Sequence, residues 1–135
     1  MEAPRKSLLL CDDEKDLAEE LGEFFAEGGW TVRICNSGHE AEQLLIEGLA
    51  PDCLMTDLRL GDMDGSRLVA TARALPAAIR PRLTVVITGN ILGSASRQSL
   101  GVDILRLKPI DPAMLAQEME DILFSRTNES RMQTP

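Results

Sequence analysis

The sequence predicts an α/β fold in which five strands form one parallel sheet with helices on both faces. Three observations carry this. Strand-length apolar runs alternate with helix-period stretches five times along the 135 residues, and parallel neighbours need such crossover connections. The runs LLLC and LTVVIT are near-continuous in apolar residues, as strands covered on both faces are. Glycine, proline and aspartate punctuate the chain between the runs, where turns and caps belong.

Taken in order, residues 6–11 (KSLLLC) read as the first strand. Residues 14–27 read as a helix, because Leu17, Leu21, Phe24 and Phe25 recur at i, i+4, i+7 and i+8. Gly28 and Gly29 supply its stop. Residues 30–35 form the second strand, with Trp30, Val32 and Ile34 alternating. Ser37 and Glu40 make an S-x-x-E capping box. It opens a second helix whose apolar face is Ala41, Leu44, Leu45 and Leu49. After Pro51, residues 52–57 (DCLMTD) are a third strand ending on an acid.

Asp64-Gly65 marks a turn, and residues 67–75 a third helix closed before Pro76. Residues 83–88 (LTVVIT) are the clearest strand, rich in β-branched side chains. Residues 90–100 are the weakest element, interrupted by Gly93 and several serines. Residues 103–107 are the fifth strand. Asp111-Pro112 pairs an N-cap with proline at the first helical position. The helix that follows buries Leu115, Met119, Ile122 and Leu123. From about Ser125 the composition turns polar (SRTNESRMQTP). The expected organisation is a domain over residues 1–124, then a frayed tail or linker over 125–135.

Composition narrows the function classes. Apolar residues make up 44% and charged residues 27%, an ordinary globular balance. No apolar run approaches the roughly 18 residues of a membrane span. Residues 1–6 are short and mixed in charge, unlike a secretory signal, so the expected location is cytoplasmic. The formal net charge of −8 disfavours duplex DNA as a direct partner. Arg73, Arg80 and Arg82 are too scattered in sequence to argue a basic patch. The excess acid suits cation binding or basic partner surfaces. Cys11, Cys35 and Cys53 lack zinc-type spacing and read as small buried hydrophobes.

In open parallel sheets, ligands bind beyond the carboxyl ends of the strands. Those ends carry Asp12 and Asp13 after the first strand, Asp57 on the third, Thr88 on the fourth and Lys108 after the fifth. Three carboxylates, a hydroxyl and an ammonium therefore gather at one edge. Two like charges ~4 Å apart cost about 4 kcal/mol at an effective dielectric of 20. Lys108 offsets part of that, and a hard divalent cation with oxygen ligands, Mg²⁺, suits the rest. Such a site fits phosphoryl chemistry, with Asp57 as nucleophile and Thr88 donating its hydroxyl hydrogen to a phosphoryl oxygen. Singly, each residue has a plainer role: a helix cap for Asp12, a loop acid for Asp57, a strand-end β-former for Thr88, a surface lysine for Lys108. Five suitable groups at successive strand ends are not an accident of that kind.

The segments LLLCDDE, LMTDLRLGDMDG, VVITG and LRLKP resemble the receiver domain of two-component response regulators, over about residues 6–124. The resemblance implies a flavodoxin-like (βα)5 fold. It implies that Asp57 takes a phosphoryl group from a phosphohistidine on a sensor histidine kinase or a histidine phosphotransfer protein. It further implies that Asp13, Asp57 and the backbone carbonyl of Arg59 bind Mg²⁺, with Asp12 acting through water or by orienting the metal shell. Lys108 would pair with the acceptor carboxylate and Thr88 would couple the site to the surface. Gly89 would leave the acceptor accessible. The surface of the fourth helix, fifth strand and last helix would serve for output or as a dimer face. No output domain is visible, so the expected arrangement is docking to a downstream protein or excision from a larger regulator.

The sequence departs from that family at two places. Leu105 stands where the family usually has Tyr or Phe, and the chain has no Tyr. A rotating ring cannot transmit the signal, which predicts reordering of residues 89–101 instead. Gly61 replaces a common proline and loosens its loop. Arg59 and Asn90 flank the mouth of the site, and Arg59 is expected to reach the phosphoryl oxygens or pair with a nearby acid. Three rivals stand beside this reading. A phosphatase of the haloacid-dehalogenase class would need an acid where Arg59 stands. A flavin-binding domain would have to tolerate acids at the same edge. A degenerate receiver would act only by docking.

Overall fold

The computed structural model describes residues 6–89 and 97–132, with side chains through Arg126. Asn90 and most of the weak fourth helix lie outside these described residues. The elements are β1 (Ser7–Cys11), α1 (Lys15–Glu27), β2 (Thr31–Cys35), α2 (Gly38–Ile46) and β3 (Cys53–Asp57). They continue as α3 (Gly65–Arg73), β4 (Leu83–Thr88), α4 (Arg97–Leu100), β5 (Ile104–Leu107) and α5 (Pro112–Met132). All strand pairs are parallel, in the order β2-β1-β3-β4-β5. This is the doubly wound, flavodoxin-like order, with its switch point between β1 and β3. Among the described residues no helix is long and apolar enough to cross a membrane.

The continuous apolar runs are explained by two-sided burial. Leu8 and Leu10 join Leu21, Phe25, Met119 and Leu123 under α1 and α5. Leu9 and Cys11 point the other way, into Ala41, Leu45, Leu68 and Ala72 of α2 and α3. Alternate residues thus fill opposite cores, as the two-residue period of a strand requires. A third cluster joins Val69, Val86 and Val102, with Leu58, Leu100 and Leu105 packed against it. The cysteines are free and buried.

The caps follow the sequence. The Ser37 hydroxyl accepts from the N–H of Glu40 at 3.2 Å, and the Asp111 carboxylate accepts from Ala113 and Met114. One expectation needs correction. The helix does not end near Phe124, because α5 runs on to Met132 through the segment read as a frayed tail. Residues 125–132 contain neither glycine nor proline, so nothing in the backbone stops the helix. The guanidinium of Arg126 also anchors this stretch, forming a forked pair with Asp103 (Nη2 to Oδ1, 2.6 Å) and donating to the Arg82 carbonyl. The polar composition suggested a frayed tail or linker, whereas the stretch to Met132 is helical and Arg126 pins its first turn to Asp103.

Candidate phosphoryl-acceptor site

The site is built by strand ends at the switch point. β1 delivers Asp12 and Asp13, β3 ends on Asp57, β4 ends on Thr88, and Lys108 follows β5. Register enforces this: Cys11 lies opposite Thr56, Asp57 opposite Ile87, and Thr88 opposite Leu107. The Lys108 N–H donates to the Thr88 carbonyl at 2.7 Å, so the sheet bonding continues into the site.

All five residues come together. One carboxylate oxygen each of Asp12, Asp13 and Asp57 lies within 4.8 Å of the others. Lys108 Nζ donates to Asp57 Oδ2 at 2.8 Å and to Asp12 Oδ2 at 3.2 Å. Asp12 is fully buried, Asp57 is 6% exposed, and Asp13 faces solvent. A cleft of about 410 Å³ opens above them, lined by Asp13, Glu14, Asp57, Arg59, Thr88 and Gly89.

Burial decides the electrostatics. It raises the pKa of Asp12, against the opposing N–H of Glu14 and the charge of Lys108. For Lys108, burial alone would favour the neutral amine. The hydrogen bond to Asp57 and the charge of Asp12 outweigh it, and its pKa is raised. Lys108 is thus held as a cation between two acids, and a third acid has no cation of its own. The donor set is all oxygen, strongly anionic and open on the Asp13 side. That is the chemistry of a hard divalent cation that keeps part of its water.

The loop after β3 holds the Asp57 carboxylate. The N–H of Arg59 donates to Asp57 Oδ1 at 3.1 Å, and the N–H of Gly65 to the Leu58 carbonyl at 2.6 Å. The Arg59 side chain is exposed over the cleft and makes no ion pair among the described residues. A Cβ at Gly65 would stand 2.1 Å from the Asp57 carbonyl oxygen, so only glycine lets α3 start so close beneath Asp57. The Asp64-Gly65 pair signalled this turn but not the contact. The sequence reading also passed over Glu14, whose Oε1 lies 3.5 Å from Lys108 Nζ. It missed Asp62 too, whose carboxylate accepts from the N–H groups of Gly38 and His39 at 2.8 and 2.9 Å and ties this loop to α2. Among acids in an acid-rich chain, neither carried a signal of its own. Leu105 is partly buried in the cluster around Val86, where it supplies apolar bulk but no ring.

A doubly wound sheet with paired acids at the switch point, an acid on the neighbouring strand end and a lysine across from it defines a receiver-type signalling domain. The sequence profile of the response regulator receiver domain matches residues 8–120, and the chain belongs to that family. It is 36% identical over 93 residues to a response regulator receiver protein of Anaeromyxobacter sp. (strain Fw109-5), covering 68% of this chain and 39% of the relative. It is 31% identical over 119 residues to the transcriptional regulatory protein GlrR of Escherichia coli K12, covering 86% of this chain and 26% of the relative. The chain therefore spans well under half the length of these relatives. Among solved structures, a CheY-like receiver domain of Methylobacillus flagellatus aligns with a TM-score of 0.74 at 27% identity, covering 87% of this chain and 98% of the other. A receiver domain of Methanospirillum hungatei JF-1 shares the fold, with a TM-score of 0.77 at 24% identity over 93% of this chain and 98% of the other.

Proposed function

We propose that this receiver domain accepts a phosphoryl group on Asp57 from a phosphohistidine, with Mg²⁺, and signals through the conformational change that follows. The observation that supports it best is Lys108 Nζ held at 2.8 Å from Asp57 Oδ2 and 3.2 Å from Asp12 Oδ2, at the base of an open acidic cleft. Asp12, Asp13, Asp57 and the Arg59 carbonyl would hold the cation. When bound, Mg²⁺ would neutralise charge on the phosphoryl oxygens. An Asp57 carboxylate oxygen attacks phosphorus; the new O–P bond forms as the N–P bond breaks, and the electron pair stays on the leaving imidazole. Lys108 stabilises the equatorial oxygens, and the Thr88 hydroxyl donates to one of them as the charge settles. Water attack at phosphorus later returns the carboxylate.

The phosphodonor is a sensor histidine kinase or a histidine phosphotransfer protein. A groove of about 730 Å³ between α1 and the start of α5 suits it as a landing site. Leu17, Leu21, Phe24 and Ile110 floor the groove, and Glu14, Glu20, Glu23 and Glu27 rim it, which favours a partner with a basic rim of its own. Output passes to a downstream protein or to an output domain of a larger regulator, from a cytoplasmic location. The face of α4, β5 and α5 is the surface for that contact or for a dimer, with Leu107 and Met114 exposed there. With Leu105 in place of a ring, the change runs through residues 89–101. Unchanged hydrogen exchange in that segment on beryllofluoride binding would refute this route.

Intact-mass measurement after incubation with acetyl phosphate and Mg²⁺ tests the central claim. One phosphoryl adduct is expected on the wild type and none on Asp57→Asn. An adduct that persists in Asp57→Asn, or fails to form on the wild type, overturns it and leaves a docking-only receiver.

A further inference from the structure

Arg73, Arg80 and Arg82 form no patch in sequence, but the fold corrects that reading. At the N-terminal edge of β4 and β5, opposite the carboxylates, they line one cleft of about 250 Å³ together with Arg126, Thr84, Gly101 and Asp103. Arg73 ends α3, Arg80 and Arg82 lead into β4, and Arg126 arrives from α5.

Two of the four guanidinium groups face carboxylates. Arg126 grips Asp103, whose Oδ2 also accepts from the Thr84 N–H at 2.9 Å. Arg82 Nη2 lies 3.4 Å from Asp52 Oδ1. Arg73 and Arg80 are exposed and pair with no carboxylate among the described residues. Arg80 gives Nε to the Leu75 carbonyl at 3.0 Å, which fixes the fork and leaves its terminal nitrogens for another acceptor. Gly101 shapes the wall. Its φ is +70°, and a Cβ there would stand 1.9 Å from Arg73 Nη1. The left-handed φ itself favours glycine after α4, and the Arg73 guanidinium lies across its open face.

Among the described residues, Arg82 and Arg126 face carboxylates while Arg73 and Arg80 do not, so the cleft holds two guanidinium groups with no carboxylate opposite. Guanidinium forks match tetrahedral oxyanions in a bidentate manner. The volume suits a phosphate bearing a small organic body, not a helix or a duplex. The chain as a whole is acidic, yet exposed charges are screened beyond ~8 Å at physiological ionic strength. At ~3.3 Å per residue, the length of β4 separates this cleft from the acidic site by roughly 20 Å. The local sign therefore governs. Arg73 also favours the C-terminal dipole of α3, but that role asks nothing of Arg80.

We propose that this cleft binds a phosphate dianion, free or as the terminal group of a small phosphomonoester, through Arg73 and Arg80 with Arg82 and Arg126 behind them. An occupied cleft bridges α3, the turn at Gly101 and α5.

The test is amide NMR on the full chain in EDTA without Mg²⁺, titrated with inorganic phosphate or glycerol 3-phosphate against sodium chloride at matched ionic strength. Saturable shifts at Gly101, Val102 and Asp103 are expected with both phosphates and not with chloride. The double variant Arg73→Ala/Arg80→Ala should weaken binding at least tenfold while its other resonances stay in place. Equal affinity for the two ligands assigns the site to the phosphate group alone, and tighter glycerol 3-phosphate assigns it to a phosphomonoester. Shifts that match chloride, a double variant that binds like the wild type, or saturable shifts centred on residues 57–60 would each overturn the proposal.

Discussion

Asp12 is a fully buried carboxylate whose pKa is raised by its burial. An acid with a raised folded pKa binds more protons folded than unfolded, so its cost to stability is complete at neutral pH and shrinks as pH falls through the folded value. Asp12→Asn keeps an oxygen for the Glu14 N–H and leaves Asp57 to Lys108. In Mg²⁺-free buffer it should therefore raise unfolding stability at pH 7 by about 1 kcal/mol. In Mg²⁺ the ranking should invert, because the variant loses a group that organises the cation. Urea unfolding followed by fluorescence of the buried Trp30 measures both; an Asp12→Asn chain less stable than wild type in EDTA refutes the account. Gly65 is the other decisive residue. Gly65→Ala places a methyl 2.1 Å from the Asp57 carbonyl oxygen, so α3 or β3 must shift. A loss of roughly 3 kcal/mol is expected, with phosphorylation of Asp57 slowed more than tenfold. Wild-type kinetics in that variant would show that the loop is not held by this contact.

At the scale of elements, α5 is the instructive case. Its first three turns are fixed by Leu115, Met119 and Leu123 in the core. Its continuation past Ser125 is anchored by Arg126 on Asp103. Burial alone would raise the Asp103 pKa, but Arg126 and the Thr84 N–H outweigh it, and the pKa is lowered. A lowered acid contributes stability that is present above the unfolded value of ~3.9 and is lost as pH falls through the folded one. Acidification from pH 4.5 to 3 should thus lower the protection factors, exchange rates corrected for the intrinsic pH dependence, of residues 125–132 in the wild type. Asp103→Asn should already show low protection factors there at pH 4.5, and they should change little. Equal pH profiles for the two proteins would show that the ion pair does not hold this stretch. The same element shows why sequence reading failed here: Asp103 and Arg126 lie 23 positions apart, and nothing local marks them as partners.

On the scale of the whole molecule, the sheet gathers acid at one end and arginine at the other, so a chain of net charge −8 presents two sites of opposite sign. The acidic end carries more carboxylates than its lysine can balance, which predicts that divalent cations stabilise the folded state. At a Mg²⁺ concentration 100 times the dissociation constant, unfolding stability should rise by about 2.7 kcal/mol. The urea midpoint should move with the slope unchanged. The rise should vanish in Asp13→Asn/Asp57→Asn, and an equal rise in that double variant would mean that the cation binds elsewhere. The strand ends that form this site were legible in the sequence because the acids stand at the ends of strand-length, largely apolar runs. The bracing was not: Glu14 on Lys108, Asp62 on α2 and Gly65 under Asp57 depend on distances between segments.

By itself the sequence determined the α/β class, the boundaries of most strands to within a residue, the caps at Ser37 and Asp111, and the convergence of Asp12, Asp13, Asp57, Thr88 and Lys108. Local pattern suffices for these, because strand period, helix period and cap chemistry act over a few residues, and parallel topology then brings like ends together. Tertiary structure alone decided the full length of α5, the clasp of Asp62 on α2, the close approach at Gly65, and the meeting of Arg73, Arg80, Arg82 and Arg126. Each depends on side chains brought together from distant segments, and long-range packing and charge pairing set that geometry where no local periodicity records it.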